Sequence, residues 1–86
     1  MSYSLEFKPV AEAELKALTS TIQIRVAKKI KWLAQNFDSI SPQALAADLG
    51  GFYKLRVGDY RVVYSFDAEG EHIVIHRIGH RRDVYD

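Results

Sequence analysis

The sequence predicts an α+β fold of order β-α-α-β-β-β, a mainly antiparallel four-stranded sheet with a helical hairpin packed on one face. Three observations predict it. Apolar and polar residues alternate through most of the C-terminal half, the period of half-buried strands. Ile22, Val26, Ile30, Leu33 and Phe37 recur at steps of four, four, three and four, the stripe of an amphipathic helix. Two alternating runs meet at Gly58-Asp59, a two-residue loop of the kind that closes a β-hairpin. With 86 residues and no repeat, linker or low-complexity tract, residues 1–86 form a single domain with a modest core.

The elements follow in order. Residues 3–7 alternate and stop before Pro9, a short first strand. Proline suits the first turn of a helix, and residues 11–18 are rich in helix formers, with Leu15 and Leu18 on one face. Thr19, Ser20 and Thr21 offer capping hydroxyls before the second helix, whose apolar stripe runs for about four turns. Ser41-Pro42 and Gly50-Gly51 bracket a connector in which residues 43–49 predict a short helical turn, pinned to the core by Leu45 or Leu49. Residues 52–57, 60–67 and 71–78 read as the remaining strands, followed by a polar tail.

Composition narrows the class. The chain has no cysteine, which rules out a disulfide framework and most zinc patterns. It shows neither a secretory leader nor an apolar run near the ~20 residues of a membrane span, so a soluble, cytoplasmic protein is expected. The net charge of +1 hides an uneven distribution, because Arg25, Lys28, Lys29 and Lys31 lie between Ile22 and Leu33 with no acid among them. That patch is either a solvated helix face or a contact for an RNA backbone.

The hairpin "YKLRVGDYRVVY" concentrates the chemistry. Its loop sets the register, so 57 faces 60, 56 faces 61, 55 faces 62 and 54 faces 63. Tyr53, Leu55, Val57, Tyr60, Val62 and Tyr64 then share the core face, while Lys54, Arg56, Arg61 and Val63 share the other. Arg56 and Arg61 would stand directly opposed, with Cβ atoms roughly 5 Å apart, which costs a few tenths to about 1 kcal/mol. A fold gains nothing from that pairing. An external anion would explain it, and phosphate matches the fork of a guanidinium. Plain solvated surface, or pairing with acids of the tail, is the alternative.

The last stretch, "IHRIGHRRDVYD", adds further groups. Unbroken alternation from Ile73 and Ile75 places Val74, His76, Ile78 and His80 on the face of Arg61. A bulge or bend at Gly79 would bring Arg81 to the same face, and Tyr85 follows on the tail. His76 and Arg77 are expected to be structural and His72 to lie at the surface, with Trp32 at the edge of the core. The combination of lysine, arginines, histidine and tyrosine, with no carboxylate cluster for a metal, suits acid–base and electrostatic catalysis on a phosphodiester.

Over essentially its whole length the sequence resembles the RelE family of the RelE/ParE toxin superfamily. The resemblance rests on the element order, on the hairpin preceded by Leu49-Gly50, and on "HRRDVY" at the end. It implies a toxin of a type II toxin–antitoxin pair that enters the ribosomal A site and cleaves messenger RNA there. No cofactor or metal is implied, and the partners would be a RelB-like antitoxin and the ribosome with its messenger and ribosomal RNA. Lys54 and Arg56 match the basic residues of the family's first hairpin strand, and Arg61 the arginine after the turn. Arg81 matches the arginine after the glycine of the last strand, and Tyr85 the closing tyrosine. His80 stands where relatives have lysine or histidine. Arg25, Lys28, Lys29 and Lys31 would contact ribosomal RNA. The chain stops at Asp86, without the C-terminal helix that some relatives carry.

The resemblance implies attack of a ribose 2′-hydroxyl on the adjacent phosphate, giving a cyclic phosphate and a free 5′-hydroxyl. Arg61 and Arg81 would stabilise the phosphoryl charge and Arg56 would position the backbone. Lys54, His80 and Tyr85 are the candidates for the proton transfers, with base and acid not assigned between them. Two rivals share the fold: a ParE-like inhibitor of DNA gyrase, and an inactive scaffold that only binds antitoxin.

Overall fold

The structure, a computed structural model, describes residues 2–45 and 50–82. Its elements are β1 (Ser4–Phe7), α1 (Pro9–Lys16), α2 (Ser20–Gln35), a 3-10 turn (Phe37–Ser39), β2 (Gln43–Ala44), β3 (Tyr53–Val57), β4 (Tyr60–Asp67) and β5 (His72–His80). The strands form one sheet in the order β1-β5-β4-β3-β2, in which only β1 and β5 run parallel. The α+β class and the helical hairpin agree with the sequence reading. The strand count does not: five strands are present among the described residues instead of four.

The additional strand, residues 43–44, stands where the helical turn expected over 43–49 would begin; residues 46–49 of that turn lie outside the described residues. Gln43 pairs with Lys54 and Ala44 with Tyr53, and the Leu45 N–H donates to the Phe52 carbonyl at 3.0 Å. Two physical causes favour this outcome. Pro42 biases the chain before it toward extended backbone, and the outer edge of β3 offers hydrogen bonds that an isolated turn lacks. Leu45 then buries itself beside Val63 and Phe52, away from the main core. Leu49, the other proposed anchor, lies outside the described residues.

Each helix starts as the sequence suggests but is held by different groups. Pro9 opens α1, and the Lys8 N–H before it donates to the Ile75 carbonyl at 2.9 Å. Thr19 caps α2 through its backbone, its carbonyl accepting the Gln23 N–H at 2.8 Å. Its hydroxyl makes no capping bond, contrary to expectation. Val26, Ile30, Leu33 and Ala34 bury one face of α2 against Val62, Tyr64, Ile73 and Ile75 of the sheet. Phe37 leaves the helix to sit 4.7 Å from both the Tyr3 and Phe66 rings, closing the core at one end.

The register of β4 against β5 decides what each face carries. Val63 pairs with Arg77, but Tyr64 pairs with Ile75, so His76 is an extra residue in the ladder. Such a bulge inverts the alternation of everything beyond it. Ile78 is therefore 1% exposed in the helix-side core opposite Val62, not on the face of Arg61 as unbroken alternation requires. The bend lies at His76, ahead of the Gly79 position proposed for it.

Past the bulge, β5 outruns β1, whose pairing ends at Ile75. The exposed edge is closed by α1: Glu14 Oε1 accepts the Ile78 N–H at 2.8 Å, and Glu14 Oε2 accepts from Arg77 Nε and Nη2 at 3.1 and 2.9 Å. Burial pushes the Glu14 carboxyl up, but the bonds from Arg77 and Ile78 and the guanidinium charge outweigh it, leaving the group below its ordinary range.

Candidate active site

The β3–β4 hairpin has the expected geometry. Gly58 adopts φ +61°, a left-handed conformation that glycine accepts without strain, and Val57 faces Tyr60 across the two-residue loop. Lys54 pairs with Val63 and Arg56 with Arg61. The two guanidinium groups thus start from directly opposed positions on the face away from the helices. Arg56 is exposed and Lys54 half-buried, whereas Arg61 is only 9% exposed.

Gly79 and the bulge complete this arrangement. Gly79 is the cross-strand partner of Arg61 on β5, so no side chain there competes for the space beside the guanidinium. One step further, the Arg81 N–H donates to the Asp59 carbonyl at 2.9 Å, extending the ladder beyond β5. β5 ends at His80; if its alternation continued one step, Arg81 would share the face of Arg61. The bend expected at Gly79 to carry Arg81 there lies at His76 instead.

The same shift moves His80 the other way. It pairs with Tyr60, a core-face residue, and the two rings lie 5.5 Å apart, edge to face. His80 is therefore on the helix side of the sheet, not with Arg61 as expected. Its Nδ1 accepts the Arg82 N–H at 3.2 Å, so the neutral ring carries its proton on Nε2. Tyr85 lies outside the described residues.

The other imidazoles serve the sheet. His76 Nε2 meets Ser65 Oγ at 2.8 Å, with its ring 5.0 Å from Phe52, and burial lowers its proton affinity. His72 bridges the parallel pair, Nδ1 to Ser4 Oγ at 2.6 Å and Nε2 to Glu6 Oε1 at 3.0 Å. Among the described residues, no three histidines, aspartates or glutamates gather closely enough to hold a metal ion.

The basic helix divides into two parts. Arg25, Lys28 and Lys29 line shallow grooves between α2 and the hairpin together with Trp32 and Val57. Lys31 lines none of these grooves, its Cα lying about 100° round the helix from that of Trp32. Trp32 is 39% exposed with the Lys29 Nζ 3.9 Å from its ring, a surface position and not the core edge expected. The sequence reading assigned no part to Glu14, because nothing in the primary structure ties a helix-surface acid to a strand so far along the chain.

Comparison with known proteins places this geometry. The ParE toxin family of type II toxin–antitoxin systems (parDE) matches residues 5–85. A curated relative, toxin RelG of Mycobacterium tuberculosis, is 30% identical over 99% of this chain and 98% of its own. The chain is a RelE-family toxin of the RelE/ParE superfamily. Among solved structures, the toxin–antitoxin complex RelBE2 of M. tuberculosis contains a chain similar at TM-score 0.82 and 28% identity, covering 94% of this toxin and 93% of that chain. The isolated RelE toxin of Escherichia coli shares the fold at TM-score 0.76 and 22% identity, over 92% and 84% of the two chains. Among the described residues of the toxin, no helix is long and apolar enough to cross a membrane.

Proposed function

We propose that this toxin is an endoribonuclease that cuts messenger RNA in the ribosomal A site, halting translation, and that it acts in the cytoplasm. The observation that carries the reading is the cationic end of the sheet. Arg56 and Arg61 oppose each other directly, and the Arg81 backbone is anchored at the adjacent turn, its N–H on the Asp59 carbonyl. Guanidinium groups gathered at this end of the sheet suit a phosphate that gains charge as it reacts.

In the proposed reaction the 2′-oxygen attacks the adjacent phosphorus while a base removes its proton. The bond from phosphorus to the 5′-oxygen breaks as an acid protonates that oxygen, leaving a cyclic phosphate and a free 5′-hydroxyl. Arg61 and Arg81 neutralise the phosphoryl oxygens, each worth about 10²-fold by analogy with other transition-state donors. Arg56 holds the backbone. The two proton transfers fall to Lys54, His80 and Tyr85, of which His80 starts from the far side of the sheet. Arg25, Lys28, Lys29 and Lys31 dock the toxin on ribosomal RNA. No metal or cofactor enters the scheme. A RelB-like antitoxin is inferred as partner, supported by the likeness to the toxin chain of the RelBE2 complex.

The test is mapping of 3′ ends in ribosome-bound messages after induction, with Arg61→Ala and Arg81→Ala beside the parent. Cuts that appear with the parent and vanish with either variant support the reading. Because the matched family carries the ParE name, gyrase-dependent DNA breakage is measured in parallel. Breakage without messenger cleavage would replace the nuclease reading by the gyrase one. Loss of both activities in the parent would leave the antitoxin scaffold.

A further inference from the structure

We infer that the groove between α2 and the hairpin is a binding track for single-stranded RNA, with Trp32 as the platform on which one base stacks. The inference rests on the nuclease reading and revises one part of it: Arg25, Lys28 and Lys29 hold the substrate strand beyond the cut, which leaves Lys31 for ribosomal RNA.

Three surface depressions join into one track. A cavity of about 200 Å³ beside the Gly58 turn shares Arg25 and Val57 with a second of about 460 Å³. The second shares Lys29 and Trp32 with a third of about 250 Å³, which reaches Lys54 and Arg56 at the edge of β3. Arg56 belongs both to this track and to the cationic sheet face, so a strand lying in the groove leads directly to the proposed site.

The lining selects the occupant. Arg25, Lys28, Lys29 and Trp32 follow the i, i+3, i+4, i+7 spacing of one helical stripe, which aligns three cations with one indole. No carboxylate lines the second or third cavity among the described residues. A row of cations tracks a phosphodiester backbone, and an exposed aromatic ring offers a stacking surface to any base. Lys29 Nζ lies over the indole, 3.9 Å from its centroid, so a base takes that face by displacing the ammonium, which its flexible stem then carries to the neighbouring phosphate. A duplex keeps its bases stacked on one another and cannot use the ring; an acidic peptide would use the cations and leave the indole unexplained.

Trp32 is the sole tryptophan, so its fluorescence reports on this groove alone. The full chain is titrated with an uncleavable 2′-O-methyl hexanucleotide at fixed salt, with a duplex of the same sequence and a poly-glutamate of equal charge as competitors. Saturable quenching is expected. Trp32→Leu should weaken binding about 5-fold or more, whereas Trp32→Phe, which keeps a ring, stays within a few-fold of the parent. Unchanged melting of both variants excludes misfolding, and quenching of the parent needs no variant at all. Saturation without quenching, or equal affinity in Trp32→Leu, overturns the inference, as does displacement by poly-glutamate with the same Trp32 dependence. The probe is not cleaved, so Trp32-dependent binding alongside uncut messages would sink the nuclease reading and spare the groove. Cut messages with Trp32-independent binding would do the reverse.

Discussion

Arg61 and Arg77 lie on neighbouring strands, on the same face of one sheet, yet the fold treats them in opposite ways. Arg77, opposite Val63, reaches round the edge of β5 and is fully matched by the carboxylate that α1 delivers. Arg61 is the more buried of the two and faces Arg56 across the ladder. The first arrangement closes an open strand edge and lowers the energy of the fold. The second sets like charges against each other at a cost of up to about 1 kcal/mol. The two share residue type and sheet face, and their neighbours differ: Val63 and a carboxylate for Arg77, Arg56 and Gly79 for Arg61.

The largest effect should come from breaking that distinction directly. Arg61→Ala should lower messenger cleavage by about 10²-fold or more in a protein that still unfolds cooperatively. Arg77→Ala should do the opposite, keeping cleavage within a few-fold while lowering stability. Cleavage rates and urea unfolding on both proteins provide the comparison. If Arg77→Ala lost as much activity as Arg61→Ala with its fold intact, the division between the two would be wrong.

Glu14 sharpens the structural side. Glu14→Ala removes the acceptor of the Ile78 N–H as well as the partner of Arg77, and should cost about 1–2 kcal/mol, a charged hydrogen bond discounted for the exposure of Arg77. Glu14→Gln keeps one acceptor oxygen and should recover about half of that loss. Equal destabilisation by both would mean that charge, not closure of the β5 edge, is what matters.

How much of this was legible follows from what a sequence encodes locally. The hairpin register was, because a two-residue loop leaves no freedom in the pairing of Arg56 with Arg61. The apolar stripe of α2 was, because one face of that helix is uniformly buried. The fate of Ile78 and His80 was not. One extra residue at His76 reverses both, and that histidine carries no local mark of a bulge, whereas Gly79 does. The short β2 was missed because residues 43–44 pair only through the waiting edge of β3, a non-local cause. The expected irregularity near the end of β5 is present, but at His76 and not at Gly79.

Gly58 gives a smaller effect that reaches the groove. A Cβ there would require a left-handed alanine, at about 1 kcal/mol, and would lie 3.3 Å from Arg25 Nη2. Gly58→Ala should therefore lower stability modestly and displace the Arg25 guanidinium. The RNA affinity at low salt should fall slightly, with a shallower salt dependence. Messenger cleavage at saturating toxin should hardly change, since the Arg56–Arg61 register is fixed by the whole ladder. A loss of cleavage as large as that of Arg61→Ala would mean that the turn itself belongs to the site.

The smallest effect is the pH profile of stability, and its sign follows from the groups outside the cationic face. His76, buried beside Ser65 and Phe52 and near Lys8, binds its proton less readily in the fold than at its ordinary 6.5. The unfolded chain therefore takes up that proton first, and stability declines as pH falls below about 6.5. Glu14 and Glu6 are held below the ordinary 4.5, Glu14 as described and Glu6 chiefly by its hydrogen bond to His72. Their contribution is present above that value and is lost as pH drops through it, giving a second, lower step. Urea midpoints between pH 7 and 3 should show both steps in that order, with His76→Gln removing the upper and Glu14→Gln reducing the lower. Arg77→Ala should also reduce the lower step, because it deprives Glu14 of its counter-ion, while Arg61→Ala should leave both unchanged. A profile altered by Arg61→Ala would show that the cationic face is tied into the acid-sensitive edge, and the contrast between the two arginines would fail.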